Sequence, residues 1–165
     1  MIQDKRQIQI RSSPEMIFEF IEAMPNKFPV YKILERRAFL FLRILFVDGL
    51  RRAIQAVSEE KPDDVLILNV GDSIGPFTLT ELVKPFRYWF TLKSLFFNCR
   101  TGYTIRAKGG MTTLNLDIVA ENPRFMEKAW WLFIKPLHGI LANTVLRVIK
   151  ESLERPGDQC SSISK

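Results

Sequence analysis

Cysteine is scarce in this chain. Cys99 and Cys160 stand far apart and the second sits in a polar tail, so neither a disulfide framework nor a zinc-type ligand spacing is available. A reducing cytoplasm is the expected setting, and no metal and no cofactor are expected. Histidine is scarcer still: His138 stands alone, so any general-base role assigned to an imidazole falls to it. The sequence holds no phosphate-cradling glycine loop, no nucleophile-elbow pattern and no internal repeat. The opening MIQDKRQIQI lacks an apolar core of the secretory-signal kind. The apolar run AFLFLRILFVDGL, residues 38 to 50, is interrupted by Arg43 and Asp48 and falls short of the ~20 residues a membrane span needs. No transmembrane segment is expected, which leaves peripheral contact as the membrane role still open.

What is abundant is apolar and aromatic. Hydrophobic residues make up 47% and aromatics 12% of the 165 residues, with 13 Phe, a composition suited to one domain with a large core or a cavity. That domain is expected to span residues 1–155. The serine-rich segment 156–165 cannot repay the entropy of ordering and is expected to be disordered. Net charge is +6, but the cations are scattered. Arg36, Arg37, Arg43, Arg51 and Arg52 make one stretch locally basic without the interleaved stacking aromatics of a nucleic-acid surface, so no nucleic acid is expected as partner.

Periodicity supplies the elements. Residues 5–11 alternate around Ile8 and Ile10 as a half-buried strand does, and Ser12-Ser13-Pro14 then opens a short helix with Ile17, Phe18 and Ile21 on one face. Residues 28–58 read as helices, broken near Gly49. From residue 65 the period becomes two, giving strands at 65–70, 77–83, 86–93, 95–108 and 111–120. A two-residue turn at Gly109-Gly110 pairs Lys108 with Met111, Ile105 with Leu114 and Tyr103 with Leu116, and leaves Arg106, Thr113, Thr104 and Asn115 on the wet face. Residues 124–154 form a long helix with an expected buried stripe of Met126, Trp130, Phe133, Leu137, Leu141, Thr144 and Val148. Pro136 withdraws the amide partner of the Leu132 carbonyl, and a kink is expected there. The class is α+β, with helices collected on one face of an antiparallel sheet.

The opening IQIRSSPEMIFEFI resembles the start of the START, polyketide-cyclase and birch-pollen-allergen superfamily, known as SRPBCC. The segments FLRILFVDGLRRA (41–53), VGDSIGPFTL (70–79) and KPLHG (135–139) are similar to an uncharacterised branch of it. The resemblance implies a helix-grip fold, a curved antiparallel sheet wrapped around the C-terminal helix, here with extra helices after the first strand. It also implies an apolar or amphipathic small molecule, lipid-like or polyketide-like, bound between sheet and helix, in some members with cyclisation or dehydration of the guest.

On that architecture the expected ligand wall is Phe77, Leu79, Tyr88, Phe90, Tyr103 and Ile105 from the strands, with Leu114 and Leu116 from the last one. The helix adds Trp130, Phe133, Leu137 and Leu141. Tyrosine brings apolar area and one orienting donor, though ordinary core packing explains the same alternation. His138 is a candidate acid or base, or a structural hydrogen-bonding group beside the proline. Glu81 shares strand parity with Phe77, Leu79 and Val83; turned inward it is a carboxylate with a raised pKa, and turned outward it pairs with a cation. Trp89 and Trp131 fall opposite the apolar sets, as exposed anchors or as the cover of a second small core.

Overall fold

The computed structural model describes residues 1–23, 51, 68–74, 77–93 and 97–155. Of the expected helical stretch 28–58 only Arg51 falls among them, and the tail from 156 lies outside. Strand β1 (Ile2–Ile10) leads into helix α1 (Pro14–Glu22), followed by β2 (Ser73–Ile74), β3 (Phe77–Val83), β4 (Arg87–Lys93), β5 (Asn98–Lys108) and β6 (Met111–Ala120), and the long helix α2 (Phe125–Glu154) closes the order. The strands form one antiparallel sheet in the order β1-β6-β5-β4-β3-β2.

Local chemistry explains the best-anticipated pieces. Ser13 caps α1 by accepting from the Met16 amide at 3.2 Å, Pro14 occupies the first turn, and Ile17, Phe18 and Ile21 are buried. Gly109 and Gly110 adopt φ of 60° and 78°, the left-handed pair that a tight hairpin needs, and the pairs Lys108↔Met111, Ile105↔Leu114 and Tyr103↔Leu116 are those expected.

Three expectations are corrected. In the described part of 65–70, Leu68 and Asn69 are irregular and Val70 lies in a turn, because Gly71 takes φ 104° and the Asp72 carboxylate accepts from the Asn69 amide at 2.8 Å. The register of β3 slips between Leu79 and Glu81, so the bulge turns Glu81 to the same side as its partner Trp89, away from Leu79. The third concerns the phase of α2. Its buried residues are Glu127, Trp131, Gly139, Ala142, Leu146 and Ile149, roughly a third of a turn from the expected stripe, with Met126 and Phe133 facing out and Trp131 in.

α2 runs unbroken through Pro136 and packs chiefly along β1, while α1 lies on β5. Its face is chosen by fit. A Cβ on Gly139 would stand 3.1 Å from an Arg6 guanidinium nitrogen, so the glycine lets β1 and the helix close on each other around that side chain. Glu127 fastens the start of the helix by accepting from the Arg124 amide at 2.6 Å and the Asn98 side chain at 3.1 Å, and Glu154 fastens the end by accepting from the Arg11 amide at 2.9 Å.

Candidate functional site

The concave face of the sheet, under the helices, is built in transverse rows. One row reads Ile8, Leu114, Ile105; the next reads Arg6, Leu116, Tyr103, Tyr88, Leu82; the next Asp4, Ile118, Thr101, Phe90, Leu79. Two separate hydrophobic cores lie at its ends. The larger gathers Ile10, Ile17, Phe18, Ile21, Leu114, Leu146 and Ile149, the smaller Ile2, Leu92, Phe97, Cys99, Ile118 and Trp131. Around the buried Tyr88 and Leu79 of the larger core, Arg6, Leu116, Tyr103, Thr101, Phe90 and Leu82 are only half-buried. α2 lies over the edge strand and α1 over β5, and the middle of the concave face is unevenly covered, with Tyr88 and Leu79 buried beside half-buried neighbours.

An aromatic ladder crosses this middle. Phe18 and Tyr88 meet edge to face at 6.0 Å, Tyr88 and Phe90 at 5.0 Å, and Phe90 and Phe77 at 6.5 Å. The Tyr88 hydroxyl is buried with no hydrogen-bond partner, and burial, helped by the charge of Glu22, pushes its pKa up to about 12. It is therefore a neutral donor set in an apolar wall.

Across from the ladder stands a polar trio. Asp4 on β1 takes His138 Nδ1 at 3.1 Å and Arg6 Nε at 3.2 Å on the same carboxylate oxygen. Burial alone would raise the Asp4 pKa, but the hydrogen bonds from Arg6 and His138 outweigh it and hold the carboxyl below its usual range. Burial drives His138 the other way, below the ordinary imidazole value, against the pull of Asp4. A neutral imidazole beside an ionised carboxylate must donate through Nδ1, which leaves Nε2 as a hydrogen-bond acceptor and base. The ring also leans on Trp131 at 5.7 Å, and Trp131 stacks on Phe97 at 5.4 Å.

The structure thus brings together Phe77, Leu79, Tyr88, Phe90, Tyr103, Ile105, Leu114 and Leu116 on one face, as expected, with Leu141 half-buried against the larger core and Trp130 against the smaller. Leu137 is half-buried on the helix. Phe133 does not belong with them: its side chain is 78% exposed on the far side of α2. Glu81 does not either. On the convex face it pairs with Arg87 at 2.8 Å and Arg100 at 3.1 Å, and the Arg87 hydrogen bond leads in lowering its pKa. Trp131 is no exposed anchor but part of the smaller core, while Trp89 lies on the convex face, half-buried, donating to Thr104 Oγ1 at 3.2 Å with Arg100 stacked over its ring.

Asp4 and Arg6 were the residues not anticipated. The signal was present, since both share strand parity with Ile8 and Ile10 and so had to face the helix. Among the described residues no group of three or more His, Cys, Asp or Glu side chains is placed to hold a metal. A cleft of about 680 Å³ lies elsewhere, at the end of the sheet, lined by Arg11 to Pro14 and Ala107 to Thr112. It opens to solvent between two turns and contains none of the groups above.

No protein-family model matches the chain, and no curated protein matches it. Among solved structures, protein Ms6760 from Mycobacterium smegmatis superposes with a TM-score of 0.51 at 12% identity, over 92% of this chain and 90% of that one. The Aha1 dimer from Colwellia psychrerythraea gives 0.40 at 14% identity (86% and 97% covered) and CalU16 from Micromonospora echinospora 0.42 at 11% (90% and 82% covered). Element order, sheet topology and the likeness to Ms6760 agree on one architecture: the chain has an α+β helix-grip fold, a curved antiparallel sheet gripping a long C-terminal helix.

Proposed function

We propose that this chain binds a hydrophobic or amphipathic small molecule, lipid-like or polyketide-like, in the cytoplasm, between the middle of the concave face and α2. The observation that carries the reading is the row Arg6, Leu116, Tyr103, Tyr88, Leu82, in which Tyr88 is buried but its four neighbours are only half-buried. Apolar side chains at the centre of a gripping sheet are normally its best-covered part, so area left open there suits a guest. The orphan Tyr88 hydroxyl supports the amphipathic half of the proposal, because a polar end of the guest would satisfy it.

Native mass spectrometry and solvent extraction of the purified protein test this, together with titration by fatty acids and fluorescent apolar probes. Uptake is expected, and Leu116→Trp, which fills the row, should weaken it by about tenfold. Absence of both a co-purified guest and probe uptake would sink the reading.

A second reading, a cyclase or dehydratase acting on such a guest, is favoured by one arrangement. Asp4 fixes the tautomer of His138 and leaves Nε2 basic, as a general base requires. If it holds, His138→Gln abolishes turnover while probe binding is retained, and Asp4→Asn lowers the rate with a changed pH profile. A bound guest that is returned chemically unaltered by the wild type argues for binding alone.

A further inference from the structure

The first half of α2 is apolar on the side that faces away from the sheet. Phe125 is 82% exposed, Met126 74%, Leu132 72%, Phe133 78% and Ile140 65%. Spacings of seven (125 to 132, 126 to 133, 133 to 140) put them along one continuous strip of the helix surface. Patches of this kind on a soluble fold mark a contact with something apolar. The second half of the same side changes character, presenting Asn143, Arg147 and Glu151 to solvent, so the strip has an end.

Its border is charged with one sign. Lys128 and Lys135, both exposed, stand four residues before and three after Leu132, at the edge of the strip. The acidic residue of this half, Glu127, is turned the other way, buried and bound to Asn98 and Arg124. Apolar side chains at the centre, long cationic stems able to reach outward at the rim, and a net chain charge of +6 are together the surface of a helix that lies in a lipid interface. A second copy of the chain fits less well. A two-fold contact would press the strip and its cationic rim against themselves, with no carboxylate on that rim to answer the lysines.

We infer that the outward face of α2 from Phe125 to Ile140 docks peripherally on an anionic lipid surface, with Phe125, Leu132, Phe133 and Ile140 entering the acyl boundary and Lys128 and Lys135 meeting the head groups. By length and composition α2 would suffice to cross a bilayer. Its opposite face holds Glu127, His138 and the packing on β1, however, and crossing would strip those groups of their partners. Lying on the surface keeps them. The inference goes beyond the binding role proposed above and stands without it.

Co-sedimentation of the full chain with phosphatidylcholine vesicles, and with vesicles carrying about 30 mol% phosphatidylserine, tests the docking. Association with the anionic vesicles and release at high salt are expected. The double variant Phe133→Ser/Ile140→Ser should lose about tenfold in partitioning with an unchanged unfolding midpoint, and Lys128→Glu/Lys135→Glu should lose the preference for phosphatidylserine. Both variants should still take up apolar probes as the wild type does, which separates failure here from failure of the binding role. No association, equal association with neutral vesicles, or a wild-type dimer that Phe133→Ser/Ile140→Ser converts to monomer would overturn the inference.

Discussion

The two faces of the sheet bury carboxylates in opposite circumstances. On the concave face Asp4 is buried among apolar residues, yet it is met by Arg6 and His138 and stays ionised below its usual range. On the convex face, the one expected to be wet, Asn115 is 2% and Asp117 9% exposed. Asn115 is satisfied by donating to the Thr104 carbonyl at 3.0 Å, but one oxygen of Asp117 has no partner, and burial raises its pKa in spite of Lys5. Glu81, a few strands away on the same convex face, has two arginines and falls below the usual range. Polarity of a face therefore says little about solvent, and direct hydrogen bonds from a cationic side chain, which Asp4 and Glu81 have and Asp117 lacks, decide a carboxylate's state more than the face it occupies.

Substitutions can break this contrast, and the most severe acts on both faces at once. A Cβ on Gly102 would run into the Tyr88 carbonyl oxygen and stand 2.6 Å from the Trp89 Cα, both backbone, so nothing flexible can yield. Gly102→Val should cost about 3 kcal/mol or more, measured by urea unfolding, with the Trp89 fluorescence environment lost. Asp4→Ala comes next, at about 2–3 kcal/mol, because it strands Arg6 and His138 together.

The pH dependence sharpens the same point. Burial holds the folded pKa of His138 below the ordinary imidazole value of about 6.5, so the unfolded chain takes up the proton first and stability falls as the pH drops below about 6.5. Asp117 has a folded pKa above 3.8, so the folded chain takes up the proton first and stability is gained as the pH falls into that window. Thermal melts should therefore show His138→Gln removing a downward slope and Asp117→Asn removing an upward one, the latter also stabilising the protein at pH 7 by about 0.5–1 kcal/mol. Glu81→Ala is the smallest change. Its arginines are half in solvent, and the loss should stay under about 1 kcal/mol although Glu81, like Asp4, has two cationic partners.

Much of this was open to reading from residue order, and what was not has local causes. The bulge in β3 left a sign: FTLTELV alternates only as far as Thr80, after which Glu81 falls on the apolar parity and Leu82 on the polar one, and pairing with β4 shows that Glu81 and Trp89 share a side. The phase of α2 was hidden because its first half is apolar on two sides, one used by the fold and one left outside, and periodicity cannot say which is which. Gly139 and Ala142, small residues three apart, together with Glu127 and His138 on the same side, were the available sign of the docking face.

By itself, then, residue order determined what depends on neighbours along the chain: the Ser13-Pro14 start of α1, the Gly109-Gly110 turn with the β5–β6 register it sets, the α+β class and the apolar wall from Phe77 to Leu116. Tertiary structure decided what depends on groups far apart in sequence. It chose which side of α2 meets β1, brought Asp4 to His138 across 134 positions, and divided the core into two clusters. Turn and alternation preferences are encoded in a few adjacent dihedrals, whereas docking a helix that is greasy on both sides is a competition among whole surfaces, settled by where a charged strand can find its partners.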